Sequence, residues 1–595
     1  MPNQSWPTKG RSWAERVFPN GVSASYSCLL HAVDIVFTID IFCHQWHAVS
    51  STKFERRGLD MTAYLFRNGP IVTMDDHGSC PECMLTLDDR IVFTGGLVDA
   101  CKWADQHGVS VTEYNLNGAA ALPGFIDGHL HPLPMIFFAM NANFEGAKDL
   151  DDIRARLLAH VGEVEPDEWI VGVQYESKKM PDGQALTRRE LDEICPDRPV
   201  LVYARDGHCV IVNSCVLQQA GIHEQAQDPE GGSIGRYDDG TLNGLFHEKA
   251  AGLPLHHMPR PSRNRMLKAS AGAFESLAKN GITSIGAMLQ SDEEGPGGAA
   301  SRRESVFFPN IRHLIPQSVY SIIIGKTLDG INALVESSDD TREGQAQPRA
   351  FKIFADGTFG SCTACMSEPY ADKTCTHGYM TLSHDEIYGR MTAAHLAGYQ
   401  ICIHAVGDQG IANCVDLFER LLEEYPKDGH RHRIEHASIA SKPLIQRIAK
   451  LGLGICSQPL FIRSEKDWLG KRLGSARSGM AYPYRDYLDA GITLGGSSDA
   501  PIEDTDVIAA LDYAVNRGGY HPEQGVTPME AVSMFTRNAA FLQFEEAEKG
   551  ALEVGKRADI VVLSHNPLEV APHDIGKIKV LRTMIGGAFA GKAGS

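Results

Sequence analysis

The sequence is poor in the features that mark membrane, disulfide-rich and nucleic-acid-binding proteins. No stretch approaches the roughly 20 apolar residues that a membrane-spanning helix needs, because Asp34 and Asp40 interrupt the longest candidate, residues 28–43. The 14 cysteines in 595 residues are too sparse for a disulfide scaffold, so we expect reduced thiols. A net charge of −19 would repel phosphate backbones. We therefore expect a cytoplasmic protein with no nucleic-acid or membrane partner.

The length of the chain and its pattern of apolar and turn residues divide it into three parts. A single core usually stops growing beyond roughly 250–300 residues, so 595 residues predict more than one domain. We interpret residues 1–60 as a disordered or non-native extension, with mitochondrial targeting as the alternative. Residues 62–121 and 545–595 show short alternating apolar stretches separated by turns, which predict a small β-sandwich domain formed from both chain ends. Residues 122–544 make the main domain.

The middle of the chain alternates short apolar strands with helical stretches. Such alternation, repeated about eight times, predicts an α/β fold of the (β/α)8 TIM-like barrel type. The connection between the first two strands is too long for a loop, so residues 141–270 are predicted to form an inserted cap over the barrel. The strand candidates are residues 124–131, 281–287, 318–325, 351–357, 400–407, 433–438, 454–459 and 492–501.

Histidines and one carboxylate stand at or near the ends of these strands. His129 and His131 end the first strand, and their spacing puts both imidazoles on one side of an extended chain. His404 lies near the end of the fifth strand, His436 ends the sixth, and Asp499 ends the eighth. Carboxyl ends of barrel strands meet at one mouth, and imidazole and carboxylate are common metal ligands. Each residue alone could be an ordinary core or rim residue, but together they predict a metal site.

The motifs around these residues resemble those of the amidohydrolase superfamily. The run KIFADGTFGSCTACMSEPYAD is similar to the branch of amidohydrolase family 3 that includes N-substituted formamide deformylase. The resemblance extends over residues 62–595 and rests on the runs LPGFIDGHLHP, FKIFADG, IHAVGD, RIEHAS, GSSDAP and KGALEVGKRADIVVL. It implies a metal-dependent hydrolase that cleaves a C–N bond other than a peptide bond, in an amide or formamide-like small molecule.

The resemblance also implies a role for each residue at the mouth. A metal-bound hydroxide would attack the substrate carbonyl, with Asp499 as the general base. Asp499 would bind the first, more buried metal together with His129 and His131, and the second metal would be bound by His404 and His436.

A lysine completes the implied ligand set. Lys352, in FKIFADG, would be carboxylated by CO2 and bridge two metals, which we expect to be Zn2+. By itself a lysine beside an apolar strand residue is usually a surface or snorkelling lysine. Manganese, iron or cobalt suits the same ligands, and a single metal ion is the alternative.

Residues of the cap and of one strand end are expected to contact the substrate. His208 and Asn213, in DGHCVIVNS, match a cap-region motif of the family, with a structural turn as the alternative. Tyr175 and Glu176 stand where relatives often carry an aromatic and an acidic residue, so they are expected to line the pocket. Gln458, at the end of the seventh strand, is expected to form a pocket wall.

Two further residues follow barrel strands. Asp408 is expected to orient a metal ligand through a hydrogen bond. Cys362 departs from the family pattern, because relatives usually have arginine there in the context GSRTA. If that arginine contacts substrate, this protein accepts a different one.

The residues leave other functions open. The same metal barrel serves isomerases, decarboxylases and ester hydrolases, because fold and metal set do not determine substrate. A non-catalytic scaffold is a further alternative, although such members tend to lose metal ligands and none is missing here. The partner is expected to be a small-molecule substrate, and a homodimer is left open.

Overall fold

The computed structural model describes residues 62–591, apart from 178–179, 182–184, 206–208, 230–231, 260, 293–303 and 332–347. The expected N-terminal extension, residues 1–60, lies outside the described residues, as does the expected substrate contact His208.

The chain forms 22 strands and 17 α-helices in its described part, numbered separately in chain order. The strands are β1 (Ala63–Arg67), β2 (Cys83–Leu87), β3 (Arg90–Gly95), β4 (Val111–Asn115), β5 (Ala120–Pro123), β6 (Phe125–Leu130), β7 (Ala142–Asn143), β8 (Ile170–Tyr175), β9 (Val200–Ala204), β10 (Cys209–Val212), β11 (Gly232–Arg236), β12 (Leu242–Glu248), β13 (Ile282–Gln290), β14 (Ser318–Ile324), β15 (Pro348–Phe354), β16 (Gln400–Ala405), β17 (Arg433–His436), β18 (Gly454–Ser457), β19 (Leu494–Gly496), β20 (Ile560–Leu563), β21 (Val580–Ile585) and β22 (Ala588–Phe589). The helices are α1 (Leu97–His107), α2 (Pro132–Ala139), α3 (Leu150–Val161), α4 (Arg188–Ile194), α5 (Ser214–Gln219), α6 (Gly252–Leu255), α7 (Arg263–Lys279), α8 (Glu304–Ile311), α9 (His384–Leu396), α10 (Asp408–Glu424), α11 (Lys442–Lys450), α12 (Pro459–Leu473), α13 (Ser475–Ser478), α14 (Tyr484–Asp489), α15 (Val507–Asn516), α16 (Pro528–Met534) and α17 (Arg537–Leu542).

Eight parallel strands form the central sheet, in the order β6, β13, β14, β15, β16, β17, β18 and β19. Each coincides with a predicted strand, although the bounds differ by a few residues. The first and last strands are joined at their carboxyl ends. The Asp499 N–H donates to the His129 carbonyl at 2.8 Å, and the His131 N–H donates to the Ala500 carbonyl at 2.8 Å. The predicted TIM-like barrel is therefore confirmed.

The barrel strands are apolar along most of their length, because parallel strands covered by helices are buried on both faces. Every residue of β13 and of β16 is buried. Charged side chains inside such strands need a specific partner or a function. Three of them, Lys352, Arg433 and Glu435, are at most 1 % exposed, and all three bear on the site described below.

The insertion between β6 and β13 forms a sheet of its own, in the order β11, β12, β10, β9, β8 and β7. Apolar side chains of β8 and β9 pack against α3 and α4 in a separate buried cluster. One side chain reaches from this sheet to the barrel mouth, since Gln174 Nε2 donates to the Pro501 carbonyl at 3.4 Å. The insertion is thus a folded cap that contacts the loop after β19.

Both chain ends contribute to a pair of four-stranded sheets. One sheet has the order β3, β2, β1 and β4, and the other has the order β22, β21, β20 and β5. Phe66 and Met84 of the first sheet share one buried cluster with Ile560 and Met584 of the second. The structure therefore has the small β-sandwich expected from the two ends, whereas the domain boundaries stay predictions.

Three histidines form a buried hydrogen-bonded chain at the amino end of β17, away from the mouth. The Ile401 N–H donates to His432 Nδ1 at 3.0 Å, so His432 carries its proton on Nε2 and donates it to His395 Nδ1 at 2.8 Å. His430 Nδ1 accepts from the His432 N–H at 2.9 Å. Burial lowers the pKa of His432 to about 2.

We expect this chain to make stability pH-dependent. An unfolded histidine has a pKa of about 6.5, so below that pH the unfolded chain takes up a proton that the folded chain refuses. His432 therefore does not reduce the free energy of unfolding above pH 6.5. As the pH drops from 6.5 toward 2, it lowers the free energy of unfolding by up to about 1.4 kcal/mol per pH unit. Urea unfolding at pH 7.5 and pH 5 should show a smaller loss for His432→Asn than for the wild type. His573→Asn, at an exposed histidine, should match the wild type. An unchanged pH dependence in His432→Asn would contradict this account.

In the part of the chain that the structure describes, no helix is both long and apolar enough to cross a membrane.

Candidate metal centre

The predicted metal-site residues come from five strands of the barrel and meet at its carboxyl-terminal mouth. Each side chain is almost completely buried, which is unusual for so many polar groups in one place. The residues and their exposed fractions are His129 at 1 %, His131 at 9 %, Lys352 at 1 %, His404 at 7 %, His436 at 3 % and Asp499 at 7 %.

Three of these residues form one compact group. Asp499 Oδ1 lies 3.3 Å from His129 Nε2 and 3.2 Å from His131 Nε2, and the three ligand atoms could surround one metal ion. Within the described chain, Asp499 Oδ1 is buried without a hydrogen bond. Two imidazoles and a carboxylate are a ligand set for a divalent transition metal. The structure thus brings together the three residues that the resemblance assigned to the first metal.

Two of the site residues have left-handed backbones. The φ angle is 72° at His436 and 58° at Asp499, a conformation that residues other than glycine rarely adopt. Such strain costs on the order of 1–3 kcal/mol per residue and persists only where the surroundings impose it. At Asp499 the backbone is held by the hydrogen bond to the His129 carbonyl. The barrel therefore holds both side chains in one orientation.

His404 and His436 form a second group beside the first. Their ring centroids are 4.5 Å apart, and the His436 ring lies 5.1 Å from that of His129. His404 Nε2 donates to the Gly357 carbonyl at 3.0 Å, and His436 Nδ1 donates to Gln458 Oε1 at 2.9 Å. Each ring therefore has its other nitrogen available as a ligand.

Lys352 lies in β15, next to this second group. Its Nζ is buried without a hydrogen-bond partner among the described residues and sits over the ring of Phe354, 5.0 Å from the centroid. Burial lowers the pKa of the Lys352 ammonium, although Glu435 and Asp499 oppose the shift. An unpaired ammonium in this position is costly, so the site favours either a neutral amine or a modified one.

Burial also keeps three of the histidines unprotonated. It lowers the pKa of His404 to about 3, with the charge of Lys352 contributing further. Burial lowers the pKa of His129 and His436 well below the usual range in the same way. Because only a neutral imidazole has a lone pair to offer, these rings are ready to bind a metal at neutral pH.

A buried ion pair, which sequence reasoning missed, orients His129. Glu435 Oε2 accepts from His129 Nδ1 at 2.7 Å, and its other oxygen accepts from Arg433 Nε at 2.6 Å. Burial alone would raise the pKa of Glu435, but Arg433 and Lys352 outweigh it and lower the pKa. The ionised Glu435 thereby leaves His129 Nε2 free to face Asp499. The signal was the pair of charged residues on either side of Ile434 in the predicted strand RIEHAS.

We expect Glu435→Gln to weaken metal binding by about 10- to 100-fold. A neutral amide accepts the His129 proton less strongly and leaves the buried Arg433 without its counter-charge. The metal dissociation constant, measured by competition with a coloured chelator, tests this. Glu424→Gln alters a carboxylate on the surface of α10 and should leave the constant unchanged. Wild-type affinity in Glu435→Gln would contradict the proposed orienting role.

Two further buried carboxylates brace the mouth. Asp127 accepts from the backbone N–H of His129 at 3.2 Å and of Ser498 at 3.1 Å, which ties β6 to the segment after β19. Asp356 accepts from the N–H groups of Cys365, Val406 and Gly407, each at 2.9 Å. Burial raises the pKa of Asp127 to about 6 and of Asp356 to about 7. The available signal was a charged residue inside the apolar run of β6, in FIDGH, and another just after β15, in FADG.

The expected substrate contacts of the cap lie elsewhere than predicted. Tyr175 is buried in the cap core, where its hydroxyl accepts from the Leu186 N–H at 3.0 Å. Glu176 pairs with Arg205 at 2.8 Å, within the cap. Asn213 is completely buried and caps α5 by accepting from the Val216 N–H. This corrects the expectation that Asn213 reaches the substrate, because all of its polar atoms are used to hold the cap together.

The remaining expected residues follow barrel strands. Gln458 was expected to form a pocket wall. Its Oε1 accepts from His436 Nδ1, and its Nε2 donates to Ser497 Oγ at 2.9 Å. Asp408, expected to orient a metal ligand, instead accepts from the Ser367 N–H at 2.9 Å. The carboxylate that braces the backbone after His404 is Asp356, in the segment that follows β15. Cys362 is a buried free thiol with a φ of 59°.

Comparison with known proteins agrees with this geometry. A family model described as "Amidohydrolase family" matches residues 112–590. The chain belongs to the amidohydrolase family. The resemblance drawn from the motifs is thus confirmed, and the protein is a hydrolase of the amidohydrolase type.

Individual relatives of this amidohydrolase match over nearly their whole length. "Putative amidohydrolase YtcJ" of Bacillus subtilis (strain 168) is 28 % identical over 88 % of this chain and 98 % of its own. "N-substituted formamide deformylase" of Arthrobacter pascens is 26 % identical over 88 % of this chain and 97 % of its own. The crystal structure of an uncharacterized metal-dependent hydrolase from Pyrococcus furiosus is 26 % identical, with a TM-score of 0.68 over 85 % of this chain and all of that one.

Proposed function

We propose that this amidohydrolase is a metal-dependent enzyme that cleaves the C–N bond of an amide or formamide-like small molecule other than a peptide. One observation carries the proposal. His129 Nε2 and His131 Nε2 lie 3.3 Å and 3.2 Å from Asp499 Oδ1 in a buried place. That oxygen has no hydrogen-bond partner in the described chain. Buried polar atoms of this kind are usually satisfied, so a ligand is the expected partner.

The residues present fit one or two divalent ions. His129, His131 and Asp499 would hold the first ion, and His404 and His436 would hold the second. We propose Zn2+, because imidazole nitrogen and carboxylate oxygen are donors that it commonly binds. A divalent ion at this place lowers the pKa of a water molecule and polarises a carbonyl oxygen.

Lys352 is proposed to be carboxylated and to bridge the two ions. Burial lowers the pKa of its ammonium, which increases the fraction of neutral amine that can attack CO2. The amine nitrogen forms a bond to the CO2 carbon, one proton leaves, and an anionic carbamate results. The product offers two oxygen donors and removes the unpaired positive charge from the mouth.

Asp499 is proposed to act as the general base. Its carboxylate would take the proton of the attacking water and pass it to the departing nitrogen, so that amine and carboxylate products form. Its strained backbone and the hydrogen bond to the His129 carbonyl hold it in the orientation that both transfers need. Glu435 and Gln458 keep His129 and His436 in fixed tautomers during the reaction.

The names of the relatives favour this chemistry. The deformylase of Arthrobacter pascens acts, by its name, on N-substituted formamides, and the Pyrococcus furiosus protein is called metal-dependent. A cytoplasmic location stays a prediction from the sequence, which leaves the oligomeric state open.

The proposal is tested by metal analysis and a substrate screen. Purified protein is expected to contain between one and two equivalents of zinc or a similar metal. Metal-loaded protein is expected to hydrolyse members of a panel of N-formyl and N-acyl amines, with release of amine as the readout. Removing the metal with a chelator should abolish turnover, and adding Zn2+ should restore it. Full activity of metal-free protein, or hydrolysis of esters only, would contradict the proposal.

A further inference from the structure

One residue of the cap is built into the mouth of the barrel in a way that the proposed mechanism does not use. Gln174 lies near the end of β8, where the pairing register with β9 shifts between Gly172 and Tyr175. Its φ angle is 65°, in the left-handed region that favours glycine. Irregularities of this kind re-aim a side chain and recur beside active sites.

The irregularity separates Gln174 from its neighbours. Tyr175 and Glu176 are engaged inside the cap, with Leu186 and Arg205 respectively. The Gln174 side chain instead leaves the cap, and its Nε2 donates to the Pro501 carbonyl at 3.4 Å.

The segment that Gln174 contacts is the turn that carries the proposed general base. Pro501 lies two residues after Asp499, and the Ile502 N–H donates to the Asp499 carbonyl at 2.9 Å. The carbonyl between them, that of Ala500, accepts from the His131 N–H at 2.8 Å. Gln174 therefore attaches the cap to the turn that also contacts two proposed metal ligands.

The amide oxygen of Gln174 is buried and accepts no hydrogen bond from the described residues. The residue is only 7 % exposed, and its Oε1 has no hydrogen-bond partner in the described part of the chain. A buried carbonyl oxygen without a donor is costly. Because Oε1 accepts and cannot donate, the missing partner must carry an N–H or an O–H group.

We infer that Gln174 determines specificity by accepting a hydrogen bond from the N–H of the substrate's scissile amide. This inference rests on the proposed C–N hydrolysis and names its substrate class: amides that retain an N–H, in preference to N,N-disubstituted amides. The leaving nitrogen is bonded to the carbon under attack, so its N–H lies at the same mouth as Asp499. A site that pairs an N–H discriminates against analogues without one, since its buried acceptor is then unpaired.

The test compares two substrates that differ by one methyl group. N-benzylformamide has an N–H, and N-benzyl-N-methylformamide does not. Gln174→Met keeps the length of the side chain and removes the acceptor. We expect it to lower kcat/KM for the first substrate by about tenfold more than for the second, so that the preference between them is lost.

Two other variants keep the test decisive. Gln174→Gly also lacks the acceptor and suits the left-handed backbone, so it serves if the methionine variant does not fold, and the same loss of preference is expected. Gln219→Met makes the same chemical change elsewhere in the cap, at a glutamine whose Oε1 accepts from Trp169 Nε1 at 2.8 Å. It should keep the wild-type preference.

The outcomes are distinct. An unchanged ratio of the two kcat/KM values in folded, metal-loaded Gln174 variants would overturn the inference, and so would an equal fall for both substrates. Wild-type protein that releases amine from neither these compounds nor the wider amine panel would instead refute the proposed function, and the inference with it.

Discussion

Replacing Asp499 with asparagine is expected to lower kcat by roughly 1000-fold while the protein stays folded. Asparagine has the same shape but can neither take a proton from water nor place a negative charge between His129 and His131. The backbone should tolerate the change, because asparagine is among the residues that most readily adopt a φ near the observed 58°. The hydrogen bond from the residue 499 N–H to the His129 carbonyl is also retained.

The measurement is single-substrate kinetics together with metal content and circular dichroism. Asp504→Asn is the matched control, because this aspartate lies in the same loop but is exposed and paired with Arg463; it should retain wild-type kcat. A kcat in Asp499→Asn within about tenfold of the wild type would show that Asp499 is not the base. If the metal is lost as well, the pH dependence of the residual activity separates the role of general base from that of metal ligand. Loss of the base should remove the fall in rate at low pH that its protonation causes.

Replacing Lys352 with methionine is expected to remove one of two bound metal ions and to lower kcat/KM by at least about 100-fold, which corresponds to the several kcal/mol that a metal contributes to catalysis. Methionine fills a similar volume without charge, and Lys352 Nζ makes no hydrogen bond in the described chain that would be lost. The fold should therefore keep or gain stability, because an unpaired buried ammonium is removed. Loss of function with unchanged stability would mark Lys352 as a functional residue.

Lys549→Met provides the matched control. Lys549 is also buried, but its Nζ donates to Ser284 Oγ at 2.9 Å and pairs with Glu545 at 2.8 Å. Its replacement should lower the melting temperature and leave the metal content unchanged, the opposite pattern to Lys352→Met. Native mass spectrometry of the wild type should show the added mass of one CO2, lost in Lys352→Met. An unmodified Lys352 in active protein with one metal ion would contradict the bridging role.

Much of the fold could be predicted from the chain alone. The eight barrel strands were visible because each is a short apolar run and most are separated from the next by a helix, and this alternation does not depend on distant residues. The two β-rich ends were visible for the same reason. Bounds were less accurate at β15 and β19, where polar residues that belong to the mouth continue the apolar run.

The candidate metal ligands could be named from the sequence, whereas the residues that contact and orient them could not. His129, His131 and Asp499 are of the chemical types that bind metals and end strands that a barrel brings together. Asn213 and Tyr175 were assigned to the substrate from a motif, but a motif does not say which way a side chain points. The bulge in β8 turns Gln174 outward and leaves Tyr175 in the cap core.

The amino-acid sequence by itself determined the barrel, the family and the chemical types of the candidate ligands at its mouth, because periodicity and residue chemistry are local properties. Only the tertiary structure decided what each of those residues contacts. His129 and Glu435, which form the 2.7 Å hydrogen bond that orients the first candidate ligand, are 306 positions apart in the chain. Such a contact depends on how β6 and β17 are placed around the barrel, and no local pattern contains that information.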